Sequence, residues 1–299
     1  RQLAAALGMS HSIVHFGQDD FERHRTDILR SMDQPTIDGI NTYFVSMAAR
    51  DVGLKVALSG VGGDELLGGY PSFRQVPAVV QQLRHLGISR GVGRQLRRLA
   101  APFVGLVTSP KYASLFEYGT TLADAYFLRR GLFMPWELDG LLGREEAAQG
   151  LERLKSVAGL EEPDVSPHAV IAYFELSAYM RNQLLRDTDW SGMRHGVEVR
   201  VPFADASLVR QLAPAIASSR PPTKADLAAC IDTQNWQQLA QQPKRGFEVP
   251  VRSWLAGSGS RFARLRGWRG WAMEVLTEFD ALALRPREAG STVAQLQKV

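Results

Sequence analysis

A glycine-rich segment near residue 60 has the clearest chemical potential in the chain, and it reads SGVGGDELLGGY from Ser59 to Tyr70. Its glycines let the backbone turn sharply and approach a ligand closely, while Asp64 and Glu65 supply carboxylates that suit Mg²⁺. Neither of the usual phosphate-binding patterns, G-x-x-x-x-G-K-S/T and G-x-G-x-x-G, fits the segment. Its residue types therefore predict a ligand-binding turn, with a glycine turn followed by an N-capping acid as the alternative.

The elements that must position this turn follow from the hydrophobic patterns before it. The residue pattern predicts a strand from His11 to Phe16 and a mostly buried strand from Leu54 to Ser59. Between them, a helix is predicted from Asp19-Asp20 to Met32 and another from Ile40 to Gly53. This long connection predicts that both strands lie in one parallel sheet, with the turn at a carboxyl end, where such sheets bind ligands.

The chain beyond Tyr70 is predicted to be mainly helical, because amphipathic patterns broken by Pro and Gly succeed one another. These patterns lie at Val76 to Leu86, Gly91 to Ala100, Thr121 to Arg130, Arg144 to Val157 and His168 to Leu185. The predicted class is α/β, with residues 1–75 contributing a small sheet and residues 76–299 a mainly helical part. Junctions are predicted at 161–164 and 257–259.

Composition argues against several classes of function. The 299 residues are 45% hydrophobic, yet no apolar run approaches the roughly 20 residues that span a bilayer. The formal charge is only +4, and the aromatic spacing of a nucleic-acid platform is absent, so we expect neither nucleic-acid nor membrane partners. Cys230 is the sole cysteine, which indicates a reducing, cytoplasmic setting; it is predicted to be a small core residue.

Two further segments accompany the glycine turn. One reads LLRDTDWSGMRHGVEVRVPFAD from Leu184 to Asp205, and the other reads KRGFEVP from Lys244 to Pro250. Together with the preceding DQPTIDG segment at 33–39, and in this order, they resemble the C-terminal part of the synthetase domain of glutamine-hydrolysing asparagine synthetases. The resemblance spans most of the chain, and it implies a parallel sheet of the ATP-pyrophosphatase type, truncated here, with a large helical remainder.

The resemblance also implies a reaction. In that family, ATP adenylates the side-chain carboxylate of aspartate and releases pyrophosphate, and ammonia derived from glutamine then displaces AMP to give asparagine. Bringing an anionic triphosphate to a carboxylate requires Mg²⁺ and a cationic side chain. Matched onto the motifs, Ser59 and Gly60 would contact the nucleotide, Asp64 would help to hold Mg²⁺, and Lys244 would stabilise the phosphate charge.

Two carboxylates, Glu65 and Asp189, are implied to be catalytic members of the same pocket. Read from the residues alone, Asp189 could instead cap a helix end, and Lys244 beside Arg245 could be solvated. Both readings therefore stay open until the side chains are placed in three dimensions.

The VEVRVPFAD run within the second motif is interpreted as structural. A carboxylate and a guanidinium two residues apart, as in Glu198 and Arg200, usually form a buried or half-buried network that fixes a loop, although it could line a pocket wall. Asp205 is placed in the same structural group. No catalytic role is expected of these three residues.

Two positions depart from the family pattern. Val61 stands where many members carry a carboxylate between two glycines, and valine can neither accept a proton nor take charge. Trp190 stands where a basic residue is common. Glu65 and Asp189 are candidates to replace the missing carboxylate. The alternatives are a related synthetase that closes β-lactam or peptide rings, and a non-catalytic relative that acts as an interaction module.

The family's phosphate-gripping sequence, S-G-G-x-D-S, does not occur in these 299 residues. The chain is therefore interpreted as a truncated synthetase domain, without the glutaminase domain, that by itself makes no asparagine. A sheet without its leading strand leaves an unpaired edge beside 11–16 or 54–59, and such edges pair with other chains. Self-association as a homo-oligomer, or a disordered N-terminal part, is expected.

Overall fold

The computed structural model of the chain describes residues 4–5, 8–158, 164–230, 249–257 and 259–282. Four expectations lie wholly or partly outside these residues. They concern Lys244 with most of its motif, the junctions at 161–164 and 257–259, and the C-terminal stretch from Arg287 to Val299, for which a helix or a frayed end is expected.

Helices make up most of the described chain. Those in its first half are α1 (Gln18–Ser31), α2 (Ile40–Asp51), α3 (Gly63–Leu66), α4 (Ser72–Arg84), α5 (Arg90–Val107), α6 (Leu115–Tyr118), α7 (Leu122–Arg130), α8 (Pro135–Leu142) and α9 (Arg144–Ala158). Those in its second half are α10 (Pro167–Phe174), α11 (Leu185–Arg194), α12 (Ala206–Ala217), α13 (Lys224–Ala229), α14 (Val251–Gly257) and α15 (Arg269–Leu282). Every helix predicted from periodicity is present, most of them within a few residues of the predicted ends.

A small parallel sheet contains strands β1 (Val56–Leu58) and β2 (Glu198–Arg200), with Val56 opposite Glu198 and Leu58 opposite Arg200. The predicted strand at Leu54 to Ser59 is therefore confirmed, although it is short. A mostly helical chain with a parallel strand pair fits the predicted α/β class. The ATP-pyrophosphatase type of sheet remains a proposal.

Two details of the predicted sheet are wrong. Residues 11–16 are irregular, and Ile13 and Val14 are about half exposed. The partner of β1 is β2, because the turn after α11 brings Glu198–Arg200 alongside it. In addition, β1 is not buried, since the side chains of Val56 and Leu58 are exposed. Alternating residue types mark a segment that can form a strand. The strand forms only where a second strand lies alongside and pairs with its backbone N–H and C=O groups.

One hydrophobic core joins helices from both ends of the described chain. Phe21 of α1 packs against Trp254 of α14 and Trp271 of α15, with ring centroids 5.3 and 5.5 Å apart. Tyr43 of α2 and Trp190 of α11 belong to the same cluster. These large aromatic side chains are almost fully buried, so this cluster holds α11 against the N-terminal helices.

A second core lies beneath the glycine-rich segment. Leu66 of α3 packs there with Phe73 and Val76 of α4 and with Ile171 and Phe174 of α10. Helix α10 continues through a π-helical segment, Glu175–Leu184, into α11, so one continuous helical rod connects the two cores. π-Helical turns are rare and occur often at functional sites, and this one faces the cavity described below.

Local capping explains several helix starts. The N-cap of α1 is Gly17, and the Asp20 carboxylate in the first turn accepts the Gly17 N–H at 2.8 Å. The start expected at Asp19-Asp20 is therefore too late, because Asp20 caps from inside the helix. Asp205 accepts the N–H groups of Ser207 and Leu208, both at 2.9 Å, and caps α12. This confirms the structural role predicted for Asp205.

Two expectations about burial are wrong. Glu198 and Arg200 pair at 2.9 Å, but both side chains are mostly exposed, because alternate residues of β2 point away from the cores. Such a surface pair contributes little to stability. Cys230 is exposed at the end of α13 and not in a core, because α13 is a short surface helix in which only Ala228 is buried.

Candidate functional site

The glycine-rich turn leaves β1 at its carboxyl end, as predicted. The Ser59 N–H donates to the Arg200 carbonyl oxygen at 2.8 Å, which extends the pairing with β2. The chain then reverses, with the Gly63 N–H donating to the Gly60 oxygen at 3.1 Å, and enters α3. Gly62 has φ of 97°, in the left-handed region that favours glycine, and a Cβ there would lie 2.8 Å from the Phe203 carbonyl carbon. The turn is thus pressed against the segment after β2.

A cavity of about 1070 Å³ opens beside this turn. Four of the predicted site residues line it: Ser59, Gly60, Asp64 and Glu65. Val61 lines it as well. Ligand cavities commonly measure roughly 300–1,000 Å³, so this cavity is large enough for a small-molecule ligand.

Asp64 meets a lysine that the sequence did not point to. The Nζ of Lys224, the first residue of α13, lies 2.5 Å from Asp64 Oδ1. Across the described ranges, no three His, Cys, Asp or Glu side chains come together to hold a metal ion. Mg²⁺ is usually bound by one or two carboxylates plus substrate phosphates, so Asp64 fits a site that the substrate completes.

Glu65 is fully buried next to the cavity, where its Oε1 accepts the Tyr70 hydroxyl at 2.8 Å. Burial raises the pKa of Glu65 and that of Tyr70. The Arg130 guanidinium lies over the Tyr70 ring, 4.5 Å from its centroid, and over the Tyr179 ring at 3.9 Å. The Tyr70 hydroxyl thus orients a buried carboxylate, and the Tyr70 ring is itself in a cation–π contact with Arg130.

Glu175, the first residue of the π-helical segment, anchors Arg130. Its carboxylate lies 2.5 Å from Arg130 Nη2 and accepts the hydroxyls of Ser72, at 2.5 Å, and Tyr126, at 3.1 Å. The Glu175 side chain is inaccessible to solvent. Three donors from α4 and α7 therefore satisfy one buried charge, and this fixes the guanidinium beside the cavity.

Asp38, in the DQPTIDG motif, forms part of the next wall. Its Oδ2 accepts the Tyr179 hydroxyl at 3.0 Å and the Gln183 amide at 2.8 Å. Burial and the Asp38 charge raise the pKa of Tyr179, which keeps it a hydrogen-bond donor. Asp38, Tyr179 and Gln183 all line the cavity. The π-helical segment thus supplies polar groups that face the loop before α2.

Asp187, not Asp189, belongs to the cavity. Asp187 is buried and accepts hydrogen bonds from the Thr36 hydroxyl and the Trp190 indole N–H, both at 2.9 Å. Burial raises the pKa of Asp187 from 3.8 to about 7, and the charges of Asp38 and Asp33 add to the effect. Asp189 is exposed and does not line the cavity.

The departure at Trp190 has a structural explanation. Its indole donates to Asp187, and its ring lies against Gly39, whose φ is 86°. A Cβ on Gly39 would stand 2.5 Å from the Trp190 ring. The tryptophan therefore packs into space that the glycine leaves open at the start of α2, and it fills a position in the first core.

The raised pKa of Asp187 makes stability depend on pH. The folded state binds the Asp187 proton more tightly than the unfolded chain does, so protonation of Asp187 stabilises the fold. This stabilisation is fully present below about pH 3.8 and is lost as pH rises towards 7. Asp187→Asn should flatten this slope and should unfold at higher denaturant than the wild type at pH 8. Urea unfolding at several pH values between 4 and 8 measures both effects.

Asp189→Asn, an exposed change two residues along the same helix, is the matched control and should keep the wild-type slope. An Asp187→Asn protein with the wild-type pH dependence would contradict the assignment of the pKa.

Cationic side chains line the cavity as well. Lys111 is buried, and its ammonium donates to the carbonyl oxygens of Arg129, at 3.0 Å, and Gly131, at 2.8 Å. Burial, together with the charges of Arg129 and Arg269, lowers the pKa of Lys111 to about 8. Arg269 pairs with Glu137 at 2.5 Å. Lys111 and Arg269 both line the cavity, and cationic side chains of these types bind phosphates and carboxylates.

The structure brings together most of the side chains that the motifs predicted and adds some that they did not. Asp187 was missed although it lies in the same motif as Asp189, because a linear pattern does not show which helix face is buried. Lys224 and Lys111 were missed because each stands outside the three motifs, and neither has a local signal. Lys244 lies outside the described residues.

No helix in the part of the chain that the structure describes is long and apolar enough to cross a membrane.

The fold and the site define an α/β domain with a glycine turn at the carboxyl end of a parallel strand, beside a cavity lined by charges of both signs. The chain belongs to the asparagine synthase family, whose model matches residues 1–267.

Full-length relatives carry names that agree with this family. The chain is 26% identical over 270 residues to "Asparagine synthetase (glutamine-hydrolyzing) 1" of Bacillus subtilis, covering 88% of this chain and 42% of that protein. It is 28% identical over 258 residues to a Mycobacterium tuberculosis H37Rv protein provisionally named asparagine synthetase (glutamine-hydrolyzing), covering 84% and 38%. The chain therefore spans about two-fifths of the length of these relatives. No solved structure matches it significantly.

Proposed function

We propose that this chain forms part of the synthetase site of an ATP-dependent ligase that makes an amide from a carboxylate and ammonia, with aspartate as the substrate. One observation carries the proposal: Ser59, Gly60, Asp64 and Glu65, from one glycine turn, line a single cavity with buried cations. Family membership supports amide ligation by a carbon–nitrogen ligase. The choice of aspartate and of glutamine-derived ammonia as substrates rests on the names of relatives and on the motif resemblance.

The chemistry assigns a role to each part of the cavity. The substrate carboxylate attacks the α-phosphorus of ATP, pyrophosphate leaves, and ammonia then displaces AMP. Ser59 and Gly60 would contact the nucleotide, and Asp64 would hold Mg²⁺, which offsets phosphate charge. Lys111, already desolvated, supplies a positive charge in a water-poor wall, where its field is strong.

Three residues share the remaining polar roles. We keep Lys244 as the stabiliser of the departing phosphate charge, on the strength of its motif. We assign to Asp187 the pocket role expected of Asp189, because Asp187 is the carboxylate of that motif that lines the cavity. Glu65 is proposed as the second pocket carboxylate, oriented by Tyr70.

Val61 supports a second candidate function. It lines the cavity at the position where many family members carry a carboxylate, so an apolar group faces the substrate there. A ring-closing amide synthetase, whose nucleophile is an amine of the substrate, is consistent with this change. Both functions use the same activation of a carboxylate by ATP, and they differ in the substrate.

The whole reaction is proposed for a protein in which this chain works with an S-G-G-x-D-S segment and a glutaminase domain. The 299 residues alone are proposed to be inactive, because that segment would grip the triphosphate. A cytoplasmic location is part of the same proposal. A non-catalytic relative that serves as an interaction module would show no pyrophosphate release under any condition.

The test joins an S-G-G-x-D-S region of the family upstream of the chain and measures pyrophosphate release with aspartate and with other carboxylates. Asp64→Asn should lower the rate by roughly 100-fold, the order expected for the loss of one charge-stabilising contact. Asp51→Asn, an exposed change at the end of α2, is the control.

A rate within about twofold of the wild type for Asp64→Asn would overturn the metal role. Release with a carboxylate other than aspartate would favour the ring-closing function, and AMP formation by the 299 residues alone would overturn their inactivity.

A further inference from the structure

Helix α5 carries a row of exposed apolar side chains that the proposed function does not use. Val92, Leu96, Leu99, Phe103 and Leu106 are 53, 37, 72, 69 and 73% exposed, and Val107 beside them is 80% exposed. We call these six residues the α5 stripe. Monomeric proteins rarely expose apolar patches of more than a few hundred Å², and a larger patch usually marks an interaction site.

The spacing within the α5 stripe indicates what covers it. From Val92 to Leu106, the residues follow one another at intervals of four, three, four and three, which is the spacing of a and d positions over two heptads. An a/d seam is narrower than the apolar face that a helix turns towards a globular core, and it suits one facing helix. The pattern therefore points to a helical partner.

The opposite face of α5 already packs on the body of the protein. A Cβ on Gly93 would stand 2.3 Å from the Phe116 carbonyl oxygen, so the two backbones are in close contact. On the same side, Arg97 and Arg94 pair with the buried Glu117 at 2.7 and 3.2 Å. The described part of the chain thus contacts one face of α5, and the α5 stripe on the other face is exposed to solvent.

The charges around the α5 stripe favour a second copy of this helix over an anionic lipid surface. The positions that flank the seam, Gln95, Ala100 and Pro102, are uncharged, so two copies meet without repulsion. A membrane-adsorbed helix uses basic side chains beside its apolar face to contact lipid head groups. Here two of the arginines are committed to Glu117 on the far side.

We propose that the α5 stripe pairs with the same stripe of a second copy of this chain, across a two-fold axis. With roughly 80 Å² of apolar surface for each of six side chains, two copies bury on the order of 1,000 Å² in total. This reaches the lower bound for a specific interface. In a parallel or an antiparallel pair, Leu99, the middle residue of the seam, meets Leu99 of the second copy.

The pairing also supports one wall of the cavity. Helix α5 ends at Val107, and Val107 and Thr108 line the cavity. The Arg266 guanidinium donates to the carbonyl oxygens of Leu106 and Val107 and lines the cavity as well. A partner on the α5 stripe would therefore hold this end of the helix in place, whether or not the proposed chemistry is correct.

Light scattering after size exclusion, at tens of micromolar chain, tests the proposal. The wild-type chain should have twice the mass of one chain, and Leu99→Lys should have the mass of one. Leu58→Lys is the control. Leu58 is 77% exposed on β1, so this variant tests whether the two copies associate through the edge of the sheet and not through the α5 stripe. A wild-type monomer, or a dimer broken only by Leu58→Lys, would overturn the pairing.

Cross-linking locates the contact. With Cys230→Ser removing the native thiol, Leu99→Cys should form a disulfide-linked dimer in high yield under mild oxidation. Arg98→Cys, one residue away on a different face, should not. Equal yields for the two variants would contradict the proposal. A lipid role for the stripe would also contradict the proposal. Its sign would be a monomeric wild-type chain that co-sediments with phosphatidylserine vesicles, and a Leu99→Lys variant that does not.

Discussion

Replacing Glu175 by alanine is expected to lower the free energy of unfolding by about 3–5 kcal/mol, because it leaves the Arg130 guanidinium largely buried without its counter-charge. Glu175 also accepts hydrogen bonds from Ser72 and Tyr126, and both donors would lose their partner. The change removes contacts that join α4 and α7 to the π-helical segment. Urea unfolding followed by circular dichroism measures the loss.

The control is another Glu–Arg pair, Glu198 with Arg200, which lies on the surface. Because both of these side chains are mostly solvated, Glu198→Ala should leave the free energy of unfolding nearly unchanged. The contrast compares a buried Glu–Arg pair, with its two further hydrogen bonds, with an exposed pair that has none. If Glu175→Ala were no more destabilising than Glu198→Ala, Arg130 would not depend on its buried partner.

Replacing Gly62 by alanine is expected to destabilise the protein by about 2–5 kcal/mol and to displace the glycine turn. A left-handed conformation costs a residue with a Cβ about 1–2 kcal/mol. The added methyl would also meet the Phe203 backbone at 2.8 Å, and backbone cannot rotate away as a side chain can. The same unfolding assay gives the magnitude.

Gly53→Ala separates these two contributions. Gly53 has φ of 82°, close to that of Gly62, but an added Cβ there would meet no atom within 4 Å. This variant should therefore lose only the conformational part, about 1–2 kcal/mol. Equal losses for the two variants would show that Phe203 does not constrain the turn.

Some of the site was predictable because it depends on neighbours in the sequence. The turn from Ser59 to Glu65 follows a strand, and that order places its residues at a ligand-binding edge of a parallel sheet. The helices could also be predicted, since their apolar faces repeat with the helical period. These features need no knowledge of what the segment packs against.

Other expectations failed because pairing is decided by distant parts of the chain. The segment from His11 to Phe16 has strand-forming residues, yet β1 pairs with Glu198–Arg200. Nothing within the strand's own residues identifies its partner, since hydrogen bonds between strands connect backbone groups that all residues share.

By itself, the sequence determined the family, through three ordered motifs, and most of the helices. Only the tertiary structure selected Asp187 over Asp189, because the packing of α11 buries one face of that helix and exposes the other. Only it brought Lys224 to Asp64 and Lys111 to the cavity. Residue types limit which groups can do chemistry. A site also requires that side chains far apart in the chain come into contact, and the packing of the helices decides which side chains make that contact.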